Sequence, residues 1–439
     1  MKETIAKFIL IFVDVLMILI ALSGAFYLRQ LLSGSFNTPP PQDIQLYLQM
    51  EVMYGVVLIV MFFEGIYTKR FDFWQEHKRI GQSLAIACLI VLAVLALQKE
   101  AEHYSRFILV TSFVMMFVLF PIEKFLMKRW LHKAGLWRRE ALVLGEDPFF
   151  ERDVFDNPYL GYVKGDEDSS KTLFIASDYR GVGEIETILD GSVKRNQEVI
   201  FIPLIKSYDF SDSYIIHLFN ARANLVVLEN KLLNRFNQLI KGGSDYFMSL
   251  LLLPPTLIVM ALIAAMIKRE EPQGSIWFEQ IRMGRDGEPF VCYKFRTMRE
   301  DSDALLASYL MDHPHEIANY TVYHKYENDP RITKIGKFLR KTSLDELPQI
   351  FNVLKGEMSL IGPRPYMPEE RIKIGEKISM VLAVKPGITG LWQVSGRSDI
   401  DFLSRVTLDV WYVRNWSLWT DFVIFVKTIK VVVRREGAL

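Results

Sequence analysis

The chain has 439 residues, of which half are hydrophobic, and its mean hydropathy is +0.16. A chain of this length has room for two or three domains, and this hydropathy is high for a protein without membrane segments. The formal net charge of +1 excludes an overall basic or acidic character, so anions must be recognised by local clusters, and nucleic acid is not an expected partner. The two cysteines, Cys88 and Cys292, lie far apart and predict neither a disulfide framework nor a cysteine metal site.

Four apolar stretches in the N-terminal third are each long enough to cross a bilayer, which takes about 20 residues. They are Ile5–Leu28, Leu46–Ile66, Ile80–Leu97 and Phe107–Met127. The first stretch is followed by three more apolar stretches and by no A-x-A-like cleavage site. We therefore interpret the first stretch as a retained helix rather than a signal peptide. Residues 1–135 are therefore predicted to form a four-helix transmembrane domain.

Lysine and arginine residues are unevenly distributed among the segments that flank these stretches. They precede the first stretch, separate the second from the third and follow the fourth, whereas the other two connections contain few of them. The positive-inside rule then places both ends of the bundle, including the N-terminus, in the cytoplasm. Three acids, Asp14, Glu51 and Glu64, lie in or near the stretches. Acids in such positions either face the bundle interior or an interface, or take part in function. No pattern of partner residues indicates a proton path.

Residues 136–230 are mixed in composition and contain four short apolar runs with the character of buried strands. The runs are Ala141–Gly145, Thr172–Ser177, Glu198–Leu204 and Asn224–Glu229, with a helix-compatible segment at Gly183–Asn196. Alternating strands and helices predict a parallel, Rossmann-like α/β domain. Because Gly145 stands alone where a dinucleotide site needs a G-x-G-x-x-G loop, we expect a structural or oligomeric role rather than nucleotide binding.

The apolar segment Phe247–Ile267 is long enough to span a bilayer, yet two features argue against a crossing. Pro254 and Pro255 near its middle remove helical hydrogen bonds and predict a break. Basic residues flank both ends of the segment, which disfavours placing those ends on opposite sides of the membrane. Residues 244–270 are therefore predicted to form a re-entrant membrane helix that leaves residues 271–439 in the cytoplasm, with a kinked full span as the alternative.

The basic residues of the C-terminal region are concentrated in segments that also carry proline and glycine. Cations held on such stiff turns suit phosphate groups, and arginine is favoured for bidentate contacts. Arg364 is the clearest case, because the sequence Gly-Pro-Arg-Pro at Gly362–Pro365 fixes it between two prolines. The candidate substrate- and phosphate-binding residues are Lys294, Arg296, Arg331, Arg340, Arg364, Lys385 and Arg397.

Asp345 and Glu346 form an acid pair directly downstream of one of these basic segments. The pattern from Ser343 to Glu346 matches a capping box, and Pro348 fits the first turn of a helix, so a helix is predicted to start close to Asp345. Backbone N–H groups at a helix start favour an ionised carboxylate and a phosphate beside it. An aspartate in this setting is able to attack a phosphoryl group, and a neighbouring glutamate is able to bind Mg²⁺.

The sequence from about Ser244 to the C-terminus resembles the bacterial sugar transferase family, the monotopic polyprenyl-phosphate phosphoglycosyl transferases. The matching motifs are KFRTM, DPRITKIGKFLRKTSLDELPQIFNVLKGEMSLIGPRP, KPGITGLWQVSGR and DVWYVRNWSLWTDF, together with the proline-containing membrane segment. Four membrane helices followed by an α/β domain resemble the long-form subgroup, of which undecaprenyl-phosphate galactose phosphotransferase is typical. The resemblance implies a mainly α-helical, monotopic catalytic domain in residues 271–439.

The resemblance also implies a two-step reaction. Asp345 would attack the β-phosphate of a UDP-hexose, with galactose or glucose as the sugar, and UMP would be released. The phosphosugar would then pass from Asp345 to undecaprenyl phosphate, which initiates a surface polysaccharide such as O-antigen, capsule or exopolysaccharide. Glu346 would help to hold Mg²⁺, Arg364 would bind phosphate, and Lys294 and Arg296 match basic positions near the family's active site.

Two other functions are compatible with the sequence. The first is a non-enzymatic membrane scaffold or regulator of polysaccharide assembly with a degenerate transferase domain, and the second is an ordinary glycosyltransferase, which would release UDP instead of UMP. We expect a protein of the bacterial inner membrane with its catalytic domain on the cytoplasmic side. A homodimer is expected because the bundle and the α/β domain offer surface for assembly, and residues 302–326 are read as an insertion of open role.

Overall fold

The computed structural model divides the chain into two compact units, residues 1–204 and residues 205–439. The residues that the structure describes are 2–35, 43–99, 103–145, 150–166, 170–176, 198–201, 214–218, 223–227, 231–300, 302–313, 316, 329–396 and 400–434. The statements below about each unit concern these residues.

Helices occupy the four apolar stretches of the N-terminal third. They are α1 (Lys2–Leu31), α2 (Gln45–Leu48), α3 (Glu51–Phe63), α4 (Phe73–Leu97) and α5 (Arg106–Lys133). The start of α4 is fixed by Asp72, whose carboxylate accepts a hydrogen bond from the Trp74 N–H at 3.0 Å. Together with a later helix at Arg235–Glu270, the described chain has five helical stretches long and apolar enough to cross a membrane, by length and composition. The four predicted helices are confirmed, while their orientation stays a prediction.

Ion pairs account for two of the three acids singled out in the N-terminal stretches, Asp14 and Glu64, whereas Glu51 is exposed. The Asp14 carboxylate is fully buried, lies 2.8 Å from Lys124 Nζ and accepts a hydrogen bond from the Tyr67 hydroxyl at 2.5 Å. Glu64 is paired with Arg79 at 3.2 Å nearer the surface. A buried carboxylate is retained only when a cation and hydrogen bonds offset its desolvation, so Asp14 faces the bundle interior as a structural ion pair.

The middle region contains a parallel sheet, as predicted. Its strands are β1 (Arg139–Leu144), β2 (Tyr162–Lys164), β3 (Thr172–Ile175) and β4 (Glu198–Phe201), in the spatial order β2-β1-β3-β4. In the central register, Ala141 lies opposite Thr172, and Thr172 lies opposite Glu198. The predicted helix at 183–196 lies outside the described residues, so the parallel sheet is confirmed and its Rossmann-like classification stays a prediction.

The last predicted strand of the middle region does not join this sheet. Instead β5 (Tyr214–Leu218) and β6 (Ala223–Val227) form an antiparallel hairpin, which belongs to the second unit. The expectation that the run at 224–229 adds to a parallel sheet is therefore wrong. An apolar run identifies a buried strand but carries no information on the direction of its partner.

One continuous helix, α6 (Arg235–Glu270), contains the segment predicted to be re-entrant. It begins at Asn234, whose side chain accepts the Phe236 N–H at 2.9 Å. Pro254 and Pro255 lie inside the helix, so the predicted interruption of helical structure at these residues is wrong. A proline removes one N–H donor but keeps a helical φ, and a continuous helix absorbs the loss. The re-entrant course itself stays a prediction.

The described residues after α6 contain seven α-helices and two pairs of strands. The helices are α7 (Ser302–Asp312), α8 (Lys334–Thr342), α9 (Ile350–Leu354), α10 (Arg371–Ile374), α11 (Ile378–Leu382), α12 (Phe402–Arg414) and α13 (Leu418–Arg434). The strands are the antiparallel pair β7 (Trp277–Met283) and β8 (Pro289–Phe295) and the parallel pair β9 (Ser359–Ile361) and β10 (Gly387–Thr389). Helix α7 occupies the first part of the predicted insertion.

The hairpin of β7 and β8 packs against the second half of α6. Phe295 and Leu339 are buried in one cluster with Met260, Ile263 and Ile267 of α6. Burying an apolar side chain of this size contributes about 1.5–3 kcal/mol, so this contact fixes the hairpin and α8 against α6. The residues that precede and follow β8 and α8 are thereby held in fixed positions, and they include the acid pair.

Candidate active site

Ser343 has a left-handed backbone conformation and places the acid pair at the start of a helix. Helix α8 ends at Thr342, Ser343 follows it with a φ of +56°, and a 3₁₀ helix then runs over Leu344–Gln349 before α9. Asp345 and Glu346 are the acids of its first turn, as the sequence predicted. The predicted capping box is wrong, because the Ser343 side chain makes no capping hydrogen bond. Its left-handed backbone instead closes α8, with the Ser343 N–H donating to carbonyls of the last turn of that helix.

The start of α8 is tied to the end of β8. The Thr333 hydroxyl caps α8 by accepting the Gly336 N–H at 2.8 Å, and the Thr333 N–H donates to the Thr297 carbonyl at 3.0 Å. A Cβ at Gly336 would lie 2.1 Å from that carbonyl oxygen, so only glycine allows this approach. One turn later, Arg340 Nε donates to the Thr297 hydroxyl at 2.9 Å, which holds its guanidinium near the acid pair.

The hairpin supplies a lysine to the acid pair. Lys294 Nζ lies 2.7 Å from Glu346 Oε1, and about a quarter of each side chain is exposed. Lys294 is paired across the strands with Phe278, and Arg282 with Phe290, so the two cations share one face of the hairpin. Arg282 donates to the Pro365 carbonyl at 3.1 Å and thereby braces the segment that carries Arg364.

Arg282 is a site residue that the sequence interpretation missed. The alternation of side chains along β7 and β8 could have predicted its position. Once the register pairs Phe278 with Lys294, the other even-numbered residues of β7, including Arg282, lie on the same face as Lys294. The turn that sets this register contains Gly284 and Gly287, and Asp286 in the left-handed region at φ +58°.

Burial and neighbouring charges shift the pKa values of Asp345 and Glu346 in opposite directions. Burial first, and then the Glu346 charge, raise the pKa of Asp345 to about 6, against the opposing effect of Lys294 and Arg340. Burial also acts to raise the pKa of Glu346, but the Lys294 charge and hydrogen bond, with Arg364 and Arg282, outweigh it and lower that pKa. The expectation that the helix start keeps the pKa of Asp345 low is wrong, because desolvation dominates. The pair thus combines a readily ionised glutamate with a less acidic aspartate.

The Gly-Pro-Arg-Pro segment is held by a buried aspartate. One oxygen of Asp409 accepts the Arg364 N–H at 3.1 Å and the Tyr366 hydroxyl at 2.8 Å. Burial raises the pKa of Asp409 to about 7, although these donors and the Arg364 charge oppose it. The Arg364 guanidinium lies 5.5 Å from the centre of the Trp392 ring, and its charge reaches Glu346. Arg364 is thereby placed beside the acid pair by its backbone and by a ring.

Two predicted phosphate-binding arginines are engaged elsewhere. Arg296 is paired with Glu271 and with Glu300, both at 2.7 Å. Arg331 donates from Nε and Nη2 to the two carboxylate oxygens of Asp329, at 2.8 and 2.7 Å. These contacts give both arginines a structural partner.

The backbone next to Lys385 lies against the Gly-Pro-Arg-Pro segment. The Gly387 N–H donates to the Pro363 carbonyl at 2.8 Å, and a Cβ at Gly362 would lie 2.8 Å from the Lys385 carbonyl oxygen. The Lys385 ammonium lies near Gly356, where a Cβ would be 3.6 Å from Nζ. Arg397 lies outside the described residues.

The carboxylates fit a hard divalent cation. Within the described residues, no three histidine, cysteine, aspartate or glutamate side chains lie together as a metal site. Mg²⁺ ordinarily takes only one or two protein carboxylates, with substrate phosphates and water completing its octahedron. The Glu346 hydrogen bond to Lys294 uses Oε1, which leaves Oε2 as the acceptor that suits such an ion.

Known proteins are similar to this chain both in the region of the acid pair and over most of its length. Residues 236–435 match the model of the family described as Bacterial sugar transferase. The chain is 37% identical over 413 residues to an uncharacterized sugar transferase of Haemophilus influenzae, covering 85% of each chain. It is 34% identical to the undecaprenyl-phosphate galactose phosphotransferase of Salmonella typhimurium (85% of this chain, 84% of that one). It is 31% identical to the UDP-galactose-lipid carrier transferase of Erwinia amylovora (97% and 96%). The similarity thus extends through the N-terminal helices.

Proposed function

The chain belongs to the bacterial sugar transferase family, and on this premise we propose that it is a phosphoglycosyl transferase that moves a hexose-1-phosphate from a UDP-hexose to undecaprenyl phosphate. The observation that carries the proposal is the pair Asp345 and Glu346, with Lys294, Arg340 and Arg364 around it. Three cations beside two carboxylates suit a diphosphate substrate, and a carboxylate with a pKa of about 6 is largely ionised at neutral pH. The product initiates a surface polysaccharide such as O-antigen, capsule or exopolysaccharide.

In the first step an Asp345 carboxylate oxygen forms a bond to the β-phosphorus of the UDP-hexose. The bond from that phosphorus to the bridging oxygen breaks, and UMP leaves with the electron pair. The phosphosugar is then an acyl phosphate on Asp345. In the second step an oxygen of undecaprenyl phosphate bonds to the same phosphorus, the bond to Asp345 breaks, and the carboxylate is regenerated.

The cations around the pair have separate tasks in these steps. Lys294 and Arg340 flank Asp345, where they neutralise the phosphoryl oxygens that approach it. Arg364 supplies a planar guanidinium for bidentate contact with a phosphate. Glu346 would hold Mg²⁺ through Oε2, and that ion supplies positive charge to the diphosphate when bound.

The membrane arrangement of the proposal depends on α6. Lys241 and Asp245 in its first half contact Asp421 and Ser359, while its second half packs against Phe295. A helix that crossed the bilayer would carry one half away from a domain on the other side. Contact by both halves supports a re-entrant helix and a catalytic domain on the cytoplasmic face of the inner membrane, where UDP-sugars occur. The homodimer predicted from the sequence is part of the same proposal.

The donor sugar is proposed as galactose before glucose, because two of the relatives above carry galactose in their names. The test is a panel of UDP-hexoses supplied with undecaprenyl phosphate to the purified full-length chain, with UMP and UDP measured separately. We expect UMP release with UDP-galactose, loss of it in Asp345→Asn, and a phosphosugar adduct on the wild type. Release of UDP would indicate an ordinary glycosyltransferase, and absence of turnover with every donor would favour a scaffold.

A further inference from the structure

A cavity whose lining does not include the acid pair lies where α6 enters the catalytic domain. Its volume is about 330 Å³, within the range of small-molecule sites. One wall is a single face of α6, formed by residues 238, 241, 242, 245 and 246 at helical spacing. The opposite wall includes residues of β9, the end of α9 and the segment 383–385 between α11 and β10.

The lining of this cavity is amphipathic and positively charged. Among the described lining residues, four are cations and one is a carboxylate; the cations are Lys241, Arg285, Lys355 and Lys385. Lys241 is already paired with Asp245 and Asp421. Apolar side chains, among them Val353, Met358 and Val384, supply much of the remaining surface. A positive rim over an apolar wall matches an amphiphile with an anionic head.

Lys385 is the cation of this lining that has no hydrogen-bond or ion-pair partner among the described residues. Its side chain is half-buried, and in the described part of the chain it makes no hydrogen bond or ion pair. Partly burying a charge costs free energy unless an opposite charge compensates it. The sequence motif around Lys385 suggested phosphate binding, but the residues that line the cavity with Lys385 include none of Asp345, Glu346 and Arg364. The compensating anion is therefore assigned to this cavity and not to the acid pair.

The position on α6 indicates where this anion comes from. The lining face ends at Tyr246, and the apolar run of the helix begins at Phe247, which is 65% exposed. The cavity is thus at the level where the helix passes from polar to apolar surroundings, which is where phospholipid headgroups lie.

We propose that this cavity binds the phosphate headgroup of an anionic membrane phospholipid, with Lys385 as its principal contact, Arg285 and Lys355 at the rim, and the start of an acyl chain along the apolar wall. This site is separate from the acid pair. The proposal rests on the membrane position of α6 given under the proposed function, but not on the transfer reaction, so lipid binding and UMP release test the two proposals separately. Lys385→Gln breaks no hydrogen bond or ion pair among the described residues, so the variant is expected to fold.

The test is lipid binding by the purified full-length chain in a neutral detergent, followed by native mass spectrometry during titration with phosphatidylglycerol or phosphatidylcholine. We expect one phosphatidylglycerol to bind at least tenfold more tightly than phosphatidylcholine. Lys385→Gln should weaken phosphatidylglycerol binding about tenfold, as expected for loss of one charge-assisted hydrogen bond, while Lys385→Arg keeps it. Lys377→Gln is the matched control, because Lys377 is an exposed lysine of the same domain outside the cavity.

Four results would overturn the proposal. The wild type shows no preference for phosphatidylglycerol, or Lys385→Gln binds it as tightly as Lys377→Gln does. Inorganic phosphate at the same concentration displaces the lipid, which would make this a site for soluble anions. Farnesyl phosphate displaces it with equal affinity, which would assign the cavity to the isoprenoid acceptor. The proposal is supported if Lys377→Gln and Lys385→Arg retain phosphatidylglycerol binding and Lys385→Gln loses it.

Discussion

Lys294 Nζ lies 2.7 Å from Glu346 Oε1, and its charge also opposes the rise in the pKa of the neighbouring Asp345. One lysine on β8 therefore acts on both acids of the pair. It lowers the pKa of Glu346 and limits the rise that burial imposes on Asp345. The difference between the two acids thus depends on a residue that lies more than fifty positions away in the sequence.

Replacing Lys294 by glutamine should shift the pH dependence of UMP release to higher pH. Without the lysine charge, the pKa of Asp345 rises above its present value of about 6, so a smaller fraction is ionised at neutral pH. We expect kcat/KM at pH 7 to fall by about 10- to 100-fold, and the acidic limb of the pH profile to move upward. Lys337→Gln, an exposed lysine of α8, is the control. An unchanged acidic limb in Lys294→Gln would contradict the assignment.

Replacing Glu346 by glutamine should shift the same limb in the opposite direction. The Glu346 charge is the second largest cause that raises the pKa of Asp345, so its removal lowers that pKa. Activity should nevertheless fall, because the proposed Mg²⁺ ligand is lost, and more Mg²⁺ should be needed for half-maximal rate. A pH–rate profile and a Mg²⁺ titration measure both effects. An upward shift of the acidic limb, as in Lys294→Gln, would show that the two acids do not interact as described.

Local patterns in the sequence predicted the helical stretches, the parallel sheet and the helix start at Asp345, because each depends on residues close together in the chain. The partners of individual cations could not be predicted in the same way. Arg296 and Arg364 both occur in basic motifs, yet Arg296 is taken up by Glu271 and Glu300, while Arg364 is left beside the acids. Which carboxylate reaches which arginine depends on tertiary packing.

Replacing Arg296 by glutamine should reduce stability more than substrate binding. Arg296 is 9% exposed and loses two charged partners, and each such hydrogen bond contributes about 1.5–3 kcal/mol. We expect a lower thermal midpoint in detergent and less than a threefold change in the KM for the UDP-hexose. Gly274→Ala is a second test, because a Cβ there would lie 1.8 Å from Arg296 Nη2 and must displace it. An unchanged thermal midpoint with a tenfold rise in KM would instead assign Arg296 to phosphate binding.

Replacing Asp409 by asparagine should raise stability at high pH relative to the wild type. The pKa of Asp409 is raised from 3.8 to about 7 by burial, so its contribution to stability is present at low pH and is lost as the pH rises through 7. At 1.36 kcal/mol for each pH unit between the two values, the wild type loses roughly 4 kcal/mol from this group between pH 4 and pH 8. Asparagine does not ionise and keeps an oxygen that accepts the Arg364 N–H and the Tyr366 hydroxyl.

The difference in thermal midpoint, Asp409→Asn minus wild type, should therefore grow between pH 5 and pH 8. Asp401→Asn on the same helix is a control of opposite sign, because hydrogen bonds from Ser404 lower the pKa of Asp401. Its charge contributes stability at high pH, so the corresponding difference for Asp401→Asn should not grow over that range. If the difference for Asp409→Asn were the same at every pH, Asp409 would carry its charge throughout, and its hold on the Arg364 segment would be that of a fixed carboxylate.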